Sequence, residues 1–362
     1  MSYVSLYRKY RPRTFAEVCG QEHIVSALEA SVKNGTISHA YLFCGSRGTG
    51  KTSIARIFAQ AINTNAEDLY EMDGASNRGI DDVRAIREAV NTLPFRSPYK
   101  VYIIDEVHML TKDAFNALLK TLEEPPQHVI FILATTEFDK VIETVVSRCQ
   151  VFTFKKPSQK ILKELVLTVA KKEGITLLPA SAELIAMLGE GSFRDALGIL
   201  EKVLTLQSGT EPNAEEVEEL VGAPRGALVH ALITAITERD LNTALYTVHK
   251  AVDKGTDMRV FMRLLLHKMR ALLLLRYSSA MEKELANELS IEELTFLKKC
   301  AQSKDAYVNA TVLRELLMAY MEQMPRAAIV ELPLELALMR LLGETDEKTL
   351  QPSIELRNVV SA

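Results

Sequence analysis

A glycine-rich stretch from Gly45 to Thr52 has the residue types and the spacing needed to bind phosphate. It reads GSRGTGKT and fits the pattern G-x-x-x-x-G-K-[ST] at every fixed position. Glycines let backbone N–H groups close around phosphate oxygens, and the N-terminus of a following helix adds partial positive charge. Lys51 can reach the β- and γ-phosphates, and the Thr52 hydroxyl can ligate Mg²⁺. The alternative is a glycine turn that only resembles the motif. The apolar run 40–44 before it and the helical spacing of 53–62 after it favour a phosphate loop.

A second chemical signal is the acid pair Asp105 and Glu106, which ends the β-branched run 100–106. This run predicts a buried strand that delivers both carboxylates to the carboxyl edge of a parallel sheet, where such sheets bind ligands. Asp105 can hold Mg²⁺ directly or through water, and Glu106 can act as general base on an attacking water. Acid pairs at strand ends are common, so this interpretation depends on the phosphate loop. Thr135 and Thr136 end another apolar run and should bring hydroxyls beside the acids.

Composition and charge exclude several classes of protein. The 362 residues suffice for two or three domains, and a hydrophobic content of 48% with 25% charged residues fits a protein with a sizeable core. The net charge of −4 means that any contact with DNA must come from a local patch or an assembled ring. The four cysteines are far apart without a C-x-x-C pair, which argues against a disulfide framework or zinc site built from them. No apolar signal segment or membrane-length run is present, so we expect a cytoplasmic protein with no membrane partner.

Strands and helices must alternate to position these groups. Apolar runs predict strands at 40–44, 69–73, 100–106, 129–134 and 151–154. Helical spacing predicts helices at 21–35, 53–62, 80–93, 111–124 and 141–146. The alternation predicts an α/β fold with a parallel sheet.

After residue 156 only helical patterns remain. They predict helices at 159–172, 181–188, 193–206, 214–221, 227–238, 241–254, 258–277, 291–303, 306–324 and 333–342. We expect four parts: a nucleotide-binding domain over 1–157, a three-helix domain over 158–210, an all-α domain over 211–345 and a polar tail over 346–362. The segment Ser208–Pro212 is the expected boundary between the two helical domains.

Several motifs together resemble the clamp-loader branch of the AAA+ ATPases. They are R-P-x-x-F-x-x-V-x-G-Q at 11–21, the phosphate loop, I-D-E-V-H at 104–108, A-L-L-K-T-L-E-E-P-P at 117–126, A-T-T at 134–136, S-R-C at 147–149 and G-S-F-R-D-A-L at 191–197. The resemblance is strong over 1–207 and loose over the remaining helices. It implies a P-loop AAA+ sheet domain, a three-helix lid and an all-α collar for oligomerisation.

The resemblance also implies roles for residues at matching positions. Thr136 resembles a first sensor whose hydroxyl reads the γ-phosphate. Arg194 resembles a second sensor that reaches the same phosphate from the lid. Arg148 resembles an arginine finger that enters a neighbouring subunit's site. The residues expected to surround ATP and Mg²⁺ are Tyr7, Arg8, Arg11, Pro12, Val18, Gly45, Gly48, Thr49, Gly50, Lys51, Thr52, Ser53, Asp105, Glu106 and Arg194.

The implied function is that of an ATPase motor subunit of a bacterial replicative clamp loader. ATP binding would open a sliding clamp and grip primer–template DNA, and hydrolysis would release the loaded clamp. The implied partners are the delta and delta-prime loader subunits, further copies of the chain's own type, the clamp and the DNA. Arg78, Lys112 and Lys120 lie on elements that face duplex DNA in related loaders, although ordinary solvated cations are the alternative for these three.

Two other functions are alternatives to this one. A non-hydrolysing structural arm of the loader is disfavoured by the complete phosphate loop and acid pair. A different AAA+ motor, such as a branch-migration helicase, is disfavoured by the triplet Ser147-Arg148-Cys149.

The join between the phosphate-loop helix and the second strand raises a further question. The family usually inserts a four-cysteine zinc module there, whereas residues 62–67 read INTNAE without a cysteine. The module could have been lost. We favour instead the interpretation that a module is missing between about Asn63 and Asn65 and that the residue numbers continue across it without a gap. The reason is that the helix ends without a glycine cap. One Cα separation in 62–67, expected at Thr64–Asn65, should then exceed about 3.8 Å. Zinc would belong to the full protein in that case.

Overall fold

The computed structural model describes residues 4–206, 212, 214–224, 226–289, 291–303, 307–323 and 327–343. The chain divides into two compact units, Met1–Val217 and Glu218–Ala362. The predicted polar tail over 346–362 lies outside the described residues, as does the predicted boundary 208–212 except for Pro212.

A five-stranded parallel sheet forms the centre of the first unit. Its strand order is β2-β3-β4-β1-β5, and every adjacent pair is parallel. The strands are β1 (Ala40–Cys44), β2 (Leu69–Asp73), β3 (Lys100–Asp105), β4 (Val129–Thr135) and β5 (Gln150–Thr153). All five predicted strands are present, and the predicted parallel α/β fold is confirmed.

Helices cover both faces of this sheet because its central strands are apolar on both sides. The helices of the unit are α1 (Leu6–Lys9), α2 (Glu22–Asn34), α3 (Lys51–Ala61), α4 (Ile80–Ala89), α5 (Lys112–Glu123), α6 (Glu143–Val146), α7 (Gln159–Lys172), α8 (Pro179–Leu188) and α9 (Phe193–Leu206). Helices α2 and α3 bury Ile24 and Phe58 against one face, in a cluster with Ile103. Helices α4 and α5 bury Val83 and Leu118 against the other face. The three helices α7, α8 and α9 pack on one another, and α1 packs on α9.

The second unit is helical throughout its described part. Its helices are α11 (Gly226–Glu238), α12 (Leu241–Asp253), α13 (Met258–Tyr277), α14 (Met281–Glu288), α15 (Ile291–Gln302), α16 (Ala310–Met318) and α17 (Leu332–Leu342), with a π-helical turn at Ala319–Gln323. A further helix, α10 (Ala214–Leu220), contains the point of division between the units. Helix α14 was not predicted, and the predicted helix 306–324 is divided between α16 and the π-helical turn. No described helix combines the length and apolarity needed to cross a bilayer.

Helix α4 ends four residues earlier than predicted, at Ala89, because buried groups hold the following residues. The ammonium of Lys100 is 3% exposed and donates to the Ala89 carbonyl at 2.8 Å and to Thr92 Oγ1 at 2.7 Å. A cation at the C-terminal end of a helix also interacts favourably with the helix dipole. Since Lys100 lies on β3, the sequence around α4 could not reveal this stop.

The predicted interruption within residues 62–67 is wrong for this structure. The Asn63 amide donates to Gln60 O at 3.0 Å, and the Thr64 amide donates to Ala59 O at 3.1 Å. Asn63 has a φ of +61°, so it supplies the left-handed cap that we expected from a glycine. The Asn65 amide donates to Ser97 Oγ at 2.8 Å, and the chain continues through a short 3₁₀ turn into β2. Among the described residues no group of three or more histidine, cysteine or acidic side chains could hold a metal ion.

The loop before β3 is held by one buried carboxylate, Asp68. Its oxygens accept hydrogen bonds from the amides of Phe95, Arg96 and Ser97, at 2.5 to 2.9 Å. Burial opposes ionisation of this carboxyl, but these hydrogen bonds outweigh it and lower its pKa from 3.8 to about 2. The ionised form therefore stabilises the fold above pH 3.8, and that stabilisation is lost as the pH falls toward 2.

We expect Asp68→Asn to destabilise the first unit by about 1–3 kcal/mol at neutral pH, because an amide offers one oxygen acceptor where the carboxylate has two. Hydrogen exchange of the amides of Phe95, Arg96 and Ser97 in the full chain should accelerate. The difference from wild type should shrink as the pH falls below 3.8 toward 2. Glu67→Gln, at the neighbouring exposed carboxylate, is the control. Unchanged protection of these three amides at neutral pH would contradict the assignment.

Candidate nucleotide-binding site

The phosphate loop connects β1 to α3, and two of its glycines are required by backbone geometry. Gly50 has a φ of +102° at the N-cap of α3, and Gly48 has a φ of +75°. A Cβ on Gly48 would lie 1.9 Å from Ser192 Oγ. The loop can therefore keep its shape only with glycine at these positions.

Lys51 begins α3 and turns its side chain back into the loop. Its ammonium donates to the carbonyl oxygens of Gly45 at 2.7 Å and Ser46 at 2.9 Å. Burial lowers the pKa of Lys51, and the nearby carboxylates of Glu106 and Asp105 oppose that shift only in part. The cation is thus held where backbone N–H groups and a helix N-terminus also converge, which is the arrangement that binds phosphate.

A hydroxyl and a carboxylate meet beside this loop. Thr52 Oγ1 donates to Asp105 Oδ2 at 2.6 Å, and Asp105 Oδ1 accepts from the backbone N–H of Glu106 at 3.0 Å. Hard oxygen atoms of this kind suit Mg²⁺, which takes one or two protein ligands and completes its octahedral shell with water and phosphate oxygens. The donor set of Thr52 and Asp105 therefore fits the metal that we expected.

Glu106 does not continue β3 as predicted, since it leaves the strand in the left-handed conformation with φ +48° and ψ +45°. Such a conformation costs about 1–2 kcal/mol for a residue with a Cβ and directs the side chain across the edge of the sheet. Glu106 Oε2 accepts from Thr136 Oγ1 at 2.9 Å and from the Thr136 amide at 3.2 Å. The predicted proximity of the acids and the threonine hydroxyl is therefore observed.

A cleft of about 700 Å³ lies over the loop and the acids. The predicted residues that line it are Tyr7, Arg8, Arg11, Pro12, Val18, Gly48, Thr49, Gly50, Lys51, Thr52, Ser53, Asp105, Glu106 and Arg194. Arg11 Nε donates to Ser53 Oγ at 2.9 Å and so attaches the N-terminal segment to α3. Burial lowers the pKa of Arg11. The guanidinium of Arg194 lies 5.7 Å from the centre of the Tyr7 ring, at the side of the cleft formed by α9.

Arg148 lies outside the residues that line this cleft. Its guanidinium donates to Thr144 O at 2.7 Å and pairs with Glu123 Oε1 at 2.9 Å, at the end of α5. One third of its side chain is exposed. Arg148 is therefore not among the residues that surround the phosphate loop of its own chain.

The three predicted DNA-contacting residues are exposed on the same side of the sheet. Lys112 and Lys120 lie on α5, two turns or about 12 Å apart. Arg78 precedes α4, and its carbonyl accepts from the Thr111 amide, one residue before α5. The three cations therefore lie on adjoining elements.

Two positioning contacts at this site were not predicted. Gln21 is fully buried, and its amide nitrogen donates to Lys155 O at 2.6 Å and Thr49 O at 3.4 Å. The backbone N–H of Phe193 donates to Gly48 O at 2.9 Å. These contacts connect the phosphate loop to the segment after β5 and to the start of α9. The contacts of Gln21 with Lys155 and of Phe193 with Gly48 each join residues more than 100 positions apart. The presence of Gln21 and Phe193 within the quoted motifs was the only available signal.

Family models match both parts of the chain. A model for "DNA polymerase III, delta subunit" matches residues 20–79 and 63–158, and a model for "DNA polymerase III subunits gamma and tau domain III" matches residues 212–356. DNA polymerase III subunit gamma of Buchnera aphidicola is 36% identical over 278 residues, which cover 71% of this chain and 77% of that protein. The chain belongs to the DNA polymerase III gamma/tau family. Longer members of the family include the tau subunit of Bacillus subtilis, 40% identical over 78% of the chain, and that of Escherichia coli, 33% identical over 95%.

The chain spans only about half the length of these longer gamma/tau relatives, 54% for Bacillus subtilis and 56% for Escherichia coli. Among solved structures, the Thermotoga maritima RuvB branch migration motor matches with a TM-score of 0.51 and 24% identity, over 70% of the chain and 90% of that protein. A likeness at this identity concerns the fold, which is the AAA+ fold. The family relationship that the motifs indicated is thus confirmed, and the family is that of the DNA polymerase III gamma and tau subunits.

Lys51→Ala should weaken nucleotide binding by roughly 10- to 100-fold, because it removes charge-assisted hydrogen bonds to ground-state phosphates. Titration calorimetry with ATP and Mg²⁺ measures this directly. Lys33→Ala removes an exposed lysine from α2 and is the matched control. An affinity equal to wild type in Lys51→Ala would remove Lys51 from phosphate binding.

Proposed function

We propose that this chain is an ATP-hydrolysing motor subunit of the bacterial replicative clamp loader. The observation that carries the proposal is the convergence of Lys51, Thr52, Asp105 and Glu106 in one cleft, which Arg194 also lines. Membership of the gamma/tau family supports a role for this site within DNA polymerase III.

Each of these residues would have a separate role in hydrolysis. ATP with Mg²⁺ supplies the scissile phosphoanhydride and the metal that neutralises developing charge. Lys51 would exchange its two carbonyl partners for phosphate oxygens, and Thr52 and Asp105 would hold the metal. Glu106 would accept the proton of the attacking water, while Thr136 and Arg194 would contact the γ-phosphate.

The remaining parts of the chain would couple this chemistry to the clamp and to DNA. We infer an AAA+ domain over 1–157, a lid over 158–210 and a collar over 211–345 that joins delta, delta-prime and further gamma/tau copies. Arg78, Lys112 and Lys120 would contact DNA phosphates, since they are exposed cations on adjoining elements. ATP binding would open the sliding clamp and grip primer–template DNA, and hydrolysis would release the loaded clamp.

Two alternative functions have less support. A non-hydrolysing arm has no need of a complete phosphate loop in which Lys51 donates to the loop carbonyls and Thr52 donates to Asp105 at 2.6 Å. The likeness to RuvB concerns the fold alone, whereas the sequence relationship is to DNA polymerase III gamma and tau.

Turnover of radiolabelled ATP by the assembled loader, with and without clamp and primed DNA, tests the proposal. We expect both additions together to stimulate hydrolysis.

Glu106→Gln should retain ATP binding and lose about 10²- to 10⁴-fold in turnover, because the amide cannot accept a proton. Glu143→Gln, at an acid on α6, is the control. An assembly without ATP turnover would support the structural arm, and normal turnover by Glu106→Gln would remove Glu106 from the role of base.

Arg148→Ala tests the action of one subunit on the next. An arginine finger contributes about 10³- to 10⁵-fold in rate, so each variant subunit should silence a wild-type site beside it. In assemblies of mixed composition, activity should fall faster than the wild-type fraction. Activity in simple proportion to that fraction would contradict a role in trans. Arg87→Ala, on α4, is the control for loss of an arginine.

A further inference from the structure

The imidazole of His108 is buried between Glu106 and the end of β4. Its side chain is 5% exposed. Nδ1 lies 2.9 Å from Thr135 Oγ1 and 3.5 Å from Glu106 Oε2, and Nε2 lies 3.3 Å from Glu137 Oε1. Glu137 is itself paired with Lys140 at 2.8 Å. The ring therefore spans the distance between two carboxylates of the first unit.

The hydrogen bonds around Thr135 favour a proton on Nδ1. Thr135 Oγ1 accepts from the Glu137 amide at 3.0 Å, and Glu137 O at 3.1 Å is an acceptor for its single proton. The hydroxyl then has one acceptor position left, which faces His108 Nδ1. A protonated Nδ1 also faces Glu106 Oε2 favourably, whereas a lone pair there would oppose a carboxylate oxygen.

We propose that His108 is a positioning residue for the candidate general base. It holds the carboxylate of Glu106 and the turn 135–137 in a fixed position relative to each other. The proposal rests on the proposed function for its chemistry. The contacts of Glu106 with Thr136 and His108 all fall on Oε2. Anchoring that oxygen leaves Oε1 to take the proton of water, and it fixes the carboxylate relative to the hydroxyl of Thr136. The left-handed backbone of Glu106 directs its side chain toward these partners, and their contacts with Oε2 then fix the orientation of the carboxylate.

Three substitutions of His108 distinguish the contribution of Nδ1 from that of Nε2. The amide nitrogen of Asn takes the place of Nδ1, so His108→Asn retains a donor toward Thr135 and Glu106. The longer His108→Gln carries its amide near the place of Nε2 and reaches toward Glu137. His108→Leu removes both polar atoms while keeping an apolar body in the buried position.

Steady-state ATP hydrolysis by the assembled loader gives the kinetic readout. His108→Leu should lower kcat by roughly 10- to 100-fold, because a misplaced base loses its near-attack geometry. KM, and the affinity for ATP measured by calorimetry, should remain close to wild type. His108→Asn should recover most of kcat and His108→Gln little of it. Equal losses in all three variants, or losses that fall on KM, would indicate a packing role and overturn the proposal.

Nitrogen NMR of the histidine rings gives a readout without nucleotide. The chain has seven histidines, and His108→Asn identifies the resonances of His108. We expect Nδ1 to have the shift of a protonated nitrogen and to respond to Glu106→Gln, whereas Asp139→Asn, at an exposed carboxylate near the same turn, should leave it unchanged. An unprotonated Nδ1, or one insensitive to Glu106→Gln, would overturn the proposal. Because this arm needs no turnover, it separates failure of the positioning role from failure of the ATPase assignment.

Discussion

The parallel register of β1, β4 and β3 is the constraint on which the site depends. Cys44 at the end of β1 is paired with Thr135 on β4, and Leu133 on β4 is paired with Ile104 on β3. The phosphate loop, the acid pair and the two threonines at the end of β4 therefore leave the sheet at neighbouring points of one edge. A slip of one residue would turn every side chain to the other face, so the apolar clusters on both faces also fix the chemistry at the edge.

The same edge is joined to its surroundings by contacts of the phosphate loop. Gln21 binds the carbonyl of Thr49, and Phe193 at the start of α9 binds the carbonyl of Gly48. The missing side chain of Gly48 makes room for Ser192. A change in the loop would be transmitted through these contacts to the start of α9, which also carries Arg194 into the cleft. This mechanical connection gives a physical basis for coupling nucleotide state to the three-helix segment after the sheet.

The sequence predicted the sheet and the main site residues because their signals are local. Buried parallel strands appear as continuous apolar runs, and phosphate binding requires glycines and Lys51 at fixed spacing. Contacts between distant segments could not be predicted in this way. Lys100, for example, ends α4 from another element. The left-handed backbone of Asn63, which caps α3, and of Glu106, which follows β3, was also not predicted, because neither residue is a glycine. The place of His108 between two carboxylates likewise depends on how β3 and β4 meet.

The central claim is that Lys51, Thr52 and Asp105 bind ATP with a divalent metal in this cleft. A crystal structure of the chain with a non-hydrolysable ATP analogue and Mn²⁺, located by anomalous scattering, tests it most directly. The account predicts Mn²⁺ bound at Thr52 Oγ1, beside Asp105 and the phosphates. It also predicts that Lys51 Nζ exchanges the carbonyls of Gly45 and Ser46 for phosphate oxygens. A metal bound elsewhere, or a nucleotide bound while Lys51 keeps both carbonyl bonds, would contradict the account.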